Sequence, residues 1–262
     1  LGLLLYFPVL GTGTFILDDG NVIAQAKKIS EQPLLNLFVR GSGGTYYRPV
    51  LFLSYLFDIK VSGAQPAFMH LVNILLHVMN AFLVYLNVRI FYPRKDSVIR
   101  HLPLAAALLF LVHPVNTESI NWISGRSDPF AAFFTLIATY LVLSSMQDLK
   151  QYRLWLAAIF MILGSMSKEV AFFSFPALAL FIFLYKIKRP LSSSVPSWSW
   201  RLTAIVPLVL GGTAYFFMRS GLFKHVDKGI SKVTNVETYH SPVAVAKQFI
   251  TDFGFYIKKL FI

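Results

Sequence analysis

The stretch PAFMHLVNILLHVMNAFLVYLNVRIF, residues 66–91, holds a single Lys, Arg, Asp or Glu, Arg89, near its end. As a helix rising 1.5 Å per residue it is about 39 Å long, more than the ~30 Å hydrocarbon core of a bilayer. Comparable apolar runs lie on both sides of it. Spans are expected at about 1–10, 66–91, 102–114, 128–147, 154–166, 169–186 and 202–220, with an eighth beginning near Phe249 and cut off at Ile262. The fold class read from this pattern is an all-α polytopic membrane protein.

Composition agrees. Of 262 residues, 56% are hydrophobic and 14% are charged, against roughly 25% charged in soluble domains. Mean hydropathy is +0.61. The net charge of +12 suits nucleic acid in the abstract. Here the basic residues flank apolar runs, where the positive-inside rule and anionic lipid account for them, so no nucleic-acid partner is expected. There is no cysteine, hence no disulfide framework and no thiolate chemistry. The opening LGLLLYFPVL has no basic n-region and reads as the end of a first span rather than a signal peptide. No internal repeat is seen, and SSSVPSWSW at 192–200 reads as a short loop.

Sidedness follows from lysines and arginines. Arg89, Arg94, Lys95 and Arg100 flank one loop; Lys150 and Arg153 mark the next; Lys186, Lys188, Arg189 and Arg201 mark a third. If all three are cytoplasmic, the apolar stretches between them cross an even number of times. The second stretch, 154–185, would be about 48 Å as one helix. It is therefore read as two short helices meeting at Ser167-Lys168-Glu169. The opposite face then collects the long loop 11–65, the turn HPVNTESINWISGRSD at 113–128 and the SKE junction. In the long loop, NVIAQAKKISEQPLLNLF and GTYYRPVLFLSYLFDI suit interfacial helices; the alternative is a compact soluble loop domain.

That face holds four charged junctions: Asp18 with Asp19, His113 with Glu118, Arg126 with Asp128, and Lys168 with Glu169. Ionisable groups cost about 2.5–3.5 kcal/mol each at the bilayer centre and less near the interface, so they persist where they pair or face water. Each junction has an ordinary reading. Asp18-Asp19 can cap a helix as well as act as base or metal ligand. His113 can be a hydrogen-bonded structural residue, Asp128 a cap, and Lys168-Glu169 a local pair at a helical break. Together they outline a cleft. The stripe His70, Asn73, His77 and Asn80 on one span is read as inter-helix hydrogen bonding before a ligand path. Walker A, zinc-helix, GxSxG and EF-hand patterns do not occur.

The ordered set FILDDGNVI (15–23), GTYYRPVLFLSY (44–55), HLVNILLHVMNAFLVY (70–85), FLVHPVNTESINWISGRSD (110–128) and SKEVAFF (167–173) resembles bacterial relatives of the transmembrane and tetratricopeptide-repeat O-mannosyltransferases. These are GT-C class polytopic glycosyltransferases. HPVNTE through GRSD is the most specific part. The resemblance implies a transmembrane glycosyltransferase domain across 1–262, with a cleft facing the periplasm of a bacterial inner membrane. It implies inverting transfer of mannose or another hexose from a polyprenyl-phosphate carrier to an acceptor hydroxyl on protein or glycan. By this similarity Asp18 is the base and Asp19 its companion. Arg126, Lys168 and Arg48 would meet the donor phosphate, with His113, Glu118, Asp128, Glu169 and Tyr47 positioning the cleft. No tightly bound cofactor is expected; a divalent metal is compatible but not required. The family continues through further spans and usually a soluble repeat domain, so the chain is expected to be an incomplete piece. The rival function is a membrane transporter or lipid flippase, and a third is a catalytically inert scaffold.

The topology is testable by labelling. Asp96→Cys, Leu149→Cys and Ser193→Cys should all resist an impermeant thiol reagent in intact cells. Labelling at 149 alone would sink the two-helix reading of 154–185.

Overall fold

Proline and a break in helical backbone decide where these apolar runs are cut. The computed structural model describes residues 2–11, 15, 18–39, 46–91, 99–184 and 196–230. Arg94, Lys95, Lys186, Lys188, Arg189, residues 192–195 of the serine-rich stretch and the expected eighth span lie outside the described residues, and the end of that stretch, from Trp198, is the start of a helix instead of a loop. Regular structure among the described residues is helical throughout. The α-helices are α1 (Gly2–Tyr6), α2 (Asp19–Ser30), α3 (Leu35–Val39), α4 (Pro49–Ser62), α5 (Pro66–Phe91), α6 (Leu102–Val112), α7 (Thr117–Asn121), α8 (Ser127–Asp148), α9 (Tyr152–Ser165), α10 (Ser174–Leu184) and α11 (Trp198–Ile230). The fold is an all-α membrane helix bundle. Among the described residues, three helical stretches are long and apolar enough to cross a membrane: Pro66–Phe91, Ser124–Asp148 and Trp198–Arg219.

The other expected spans are shorter helices. The run at 102–114 gives α6, which stops at Val112 because His113 precedes Pro114 and is held extended, at φ −66° and ψ 125°. The run at 154–186 is two pieces. Helix α9 ends at Ser165, Lys168 is extended, and a 3-10 turn at Glu169–Phe173 leads into α10. Helix α10 packs back on α9 and α11, so that a methyl on Gly211 would meet Phe175 at 2.9 Å and Ala158 at 3.0 Å. The start, 1–10, is α1 followed by a 3-10 turn through Pro8. Within the long loop both expected stretches are helical: α2 and α3 in the first, α4 in the second.

Helix α5 is the central element, packed on α6 and α8. Asn73, Asn80 and Asn87 recur every seventh residue along it, all buried. Asn80 Nδ2 donates to the Pro129 carbonyl at 2.9 Å and Asn87 Nδ2 to that of Leu136 at 3.0 Å, again seven residues on. Asn73 Nδ2 reaches the carbonyls of Ile120 and Trp122. A seven-residue spacing keeps such groups on one helix–helix seam. His77 Nε2 meets the Leu111 carbonyl on α6 at 3.1 Å. Asn73, His77 and Asn80 of the polar stripe thus bond to neighbouring elements, whereas the buried His70 Nδ1 has no hydrogen-bond partner among the described residues. Arg201, counted above among loop charges, is buried and donates to the Ile182 and Phe183 carbonyls that end α10.

One buried charge joins the loop to the bundle. Arg126, at the start of α8, is 0% exposed. Its Nη1 donates to Asp58 Oδ2 on α4 at 2.5 Å, its Nε to Asn73 Oδ1 on α5 at 2.6 Å, and its Nη2 to the Met69 carbonyl at 2.8 Å. The guanidinium also lies 5.0 Å from the Tyr55 ring centroid. Gly125 allows the approach that places it: a methyl there would lie 3.0 Å from Ser119 Cα.

Removing one member of a buried ion pair strands the other, at about 3–5 kcal/mol. Arg126→Met should destabilise the protein by that order in detergent unfolding. Arg126→Met combined with Asp58→Leu should recover most of the loss. A double variant no more stable than the single would show that the pair is not what Arg126 provides.

Candidate active-site cleft

The cleft forms where the start of α2, the start of α4, the turn before α8 and the end of α9 meet at one end of the bundle. Its volume is about 580 Å³, and Asp18, Arg48, Trp122, Ser124, Asp128 and Lys168 are among the residues that line it.

Asp18 and Asp19 are adjacent and differently placed. Asp19 is fully buried, and its Oδ1 accepts from the Ser124 backbone N–H at 2.8 Å and the Ser124 hydroxyl at 2.7 Å. Asp18 is exposed in the cleft. It occupies the N-cap position of α2, where its carbonyl accepts from Val22 N, but its side chain makes no capping bond. The cap reading therefore does not account for its carboxylate, which makes no ion pair with a described residue.

Two cations face the cleft, each against a carboxylate. Arg48 grips Glu169 through Nε and Nη2, the latter at 2.9 Å, and stacks over Tyr46 at 4.3 Å. Lys168 pairs with Asp128. The neighbours Lys168 and Glu169 thus reach different elements, α8 and the start of α4. Tyr55, beneath the cleft, donates to the Ile123 carbonyl at 3.2 Å, and burial pushes its phenol well above the usual tyrosine range, so it stays a donor.

Four expected site residues fall elsewhere. Arg126 does not line the cleft; its donors are taken by Asp58, Asn73 and Met69, so it holds the site together instead of meeting a phosphate. Tyr47 turns inward, donates to the Phe38 carbonyl at 3.1 Å and packs near Tyr215, while Tyr46 takes the cleft position. Burial raises the Tyr47 phenol as well. His113 closes its own turn, Nδ1 accepting from Val115 N at 3.2 Å, and Glu118 is exposed in the first turn of α7; neither lines the cleft.

The residues missed were Asp58, Ser124, Trp122 and Tyr46. Asp58 had a signal: a lone carboxylate in LFLSYLFDIK must be paired if buried. Ser124 had none. Among the described residues no group of three His, Asp or Glu side chains comes together as a metal would require.

A protein O-mannosyl-transferase of Drosophila melanogaster, Tmtc1, is 32% identical over 148 residues, 53% of this chain and 16% of that protein. The human protein O-mannosyl-transferase TMTC4 is 33% identical over 146 residues, 48% of this chain and 20% of its own. The chain is similar to protein O-mannosyl-transferases. A Caenorhabditis elegans protein of that name matches more of the chain, 67%, at 26% identity. The matched stretches span 16–26% of these relatives' own lengths. No protein-family model matches, and no solved structure does.

Ser124→Ala removes one of the two donors to a buried carboxylate, worth about 1.5–3 kcal/mol. Thermal unfolding should show a loss of that order. An unchanged melting temperature would mean that the backbone N–H alone holds Asp19.

Proposed function

We propose that the cleft transfers a sugar, mannose or another hexose, from a polyprenyl-phosphate-linked donor to a hydroxyl on protein, with inversion. The observation that carries this reading is Asp18, an exposed carboxylate without an ion-pair partner among the described residues, in one cleft with Arg48 and Lys168. The names of the relatives support the reaction class and a protein acceptor.

In this scheme Asp18 takes the proton of the acceptor hydroxyl as its oxygen attacks the anomeric carbon. The bond from that carbon to the phosphate oxygen breaks, and negative charge develops on the lipid phosphate. Lys168 and Arg48 receive that charge by exchanging Asp128 and Glu169 for phosphate oxygens. Asp19, tied to Ser124, orients the start of α2 and so the direction of Asp18. No step is routed through a metal.

This reading sets the cleft on the extracytoplasmic side. Arg89, Arg100, Lys150 and Arg153 all lie at the other end of the bundle, which the positive-inside rule assigns to the cytoplasm. The bacterial plasma membrane as its setting comes from the sequence resemblance alone. A transporter would set its charges near mid-span in broken helices; these gather at helix ends.

The test is lipid-linked sugar transfer by the full-length protein. General-base assistance is worth about 10²–10⁴-fold, so Asp18→Asn should cut turnover by that factor with donor binding kept. Asp19→Asn should reduce folded yield more than turnover per folded molecule. Lys168→Ala and Arg48→Ala should weaken donor binding. Retention of most of the transfer rate in Asp18→Asn overturns the assignment of the base.

A further inference from the structure

A second cavity, about 790 Å³, lies between α5 and α6. Its walls are apolar and include Val78, Phe82, Leu104 and Leu108, while Arg89 and Arg100 stand at one end. Phe82 is 60% exposed and Leu104 52%. The deep end is closed by α1, since a methyl on Gly2 would come within 2.8 Å of both Val78 and Leu111.

Position along α5 separates this groove from the cleft. Asn73 belongs to the knot beneath the cleft, and Arg89 lies sixteen residues on, about 24 Å along the helix. From Val78 to Arg89 the groove runs about 17 Å. One leaflet of a ~30 Å hydrocarbon core is about 15 Å thick. The groove therefore has the depth of one leaflet, with its arginines at head-group level. Among the described residues neither Arg89 nor Arg100 pairs with a carboxylate, and His101 beside them adds a further nitrogen donor. Tyr85 lies under the Arg89 guanidinium, 6.0 Å from it, which suits an interfacial aromatic.

We propose that this groove binds one anionic phospholipid of the leaflet opposite the cleft. Its phosphate sits between Arg89 and Arg100 and an acyl chain lies along α5 and α6. The site is separate from the sugar donor and does not depend on the transferase reading. Long alkyl chains match the apolar walls, and the two guanidinium groups select negative charge over a zwitterionic head.

The test uses the full-length protein in mild detergent, with phosphatidylglycerol and phosphatidylcholine as probes and native mass spectrometry as readout. One phosphatidylglycerol per chain should be retained at least tenfold over phosphatidylcholine. Arg89→Gln with Arg100→Gln should remove that preference, Arg89→Lys with Arg100→Lys should keep most of it, and Leu108→Trp should lower occupancy by either lipid. A photo-crosslinking residue at position 104 should label lipid. Equal retention of both lipids, or an unchanged preference in the glutamine variant, overturns the proposal. So does crosslinking of position 104 to another segment or a second copy, or retention of a polyprenyl phosphate in place of phospholipid.

Discussion

The ion pair between Arg126 and Asp58 is the constraint on which the site depends. Both side chains are fully buried, so neither can gain solvation if the other moves. Arg126 opens α8, Asp58 lies on α4, and the remaining guanidinium donors bind Asn73 and Met69 on α5. Loop and bundle are thereby fixed to each other beneath the cleft. Arg48 at the start of α4 and Asp128 on α8 owe their nearness to elements that this one group brings together; Lys168 is held by its pair with Asp128, and the start of α2 by the bonds of Asp19 to Ser124. An arginine in this position serves geometry. Its fork ties α4 and α5 to the start of α8 at once, which a lysine's compact ammonium would not do with the same directions.

Much of this was legible from the sequence, and the exceptions share a cause. Apolar run length and the placement of arginines and lysines point to an all-helical membrane bundle with four charged junctions on one face. The helical break at Lys168 was legible because one helix across 154–185 would be the wrong length. Local pattern alone does not say which of two neighbours faces inward; for Asp18 and Asp19 the unequal roles follow from the family resemblance and from the alternation of side chains in extended backbone. Asp18 and Asp19 are distinguished by Ser124, 105 residues away. Tyr46 and Tyr47 are distinguished by Phe38 and by Tyr215 on α11. Local pattern carries no information about partners at that distance. Arg126 is the same case: its buried counter-charge, Asp58, lies 68 residues away in an otherwise apolar run.

The cleft also shows how charge is stored without a ligand. Lys168 and Glu169 are consecutive yet neutralise groups on two different elements. In the proposed reaction each cation would exchange its carboxylate for a phosphate oxygen. Partly exposed pairs of this kind contribute little to stability. Their exchange therefore costs the fold little, whereas the buried pair below stays intact.

The asparagine seam has a consequence for how the chain is made. The bonds from Asn73, Asn80 and Asn87 on α5 reach residues 47–49 positions later. Those carbonyls do not exist when α5 first leaves the ribosome. At about 5–20 residues per second, the wait is roughly 2–10 s. During it, three carboxamides on an otherwise apolar helix have no seam to join, and pure hydrocarbon would leave them without partners. The seam can close only once the residues through Leu136 have been made, so α5 and the first turns of α8 complete one another's packing.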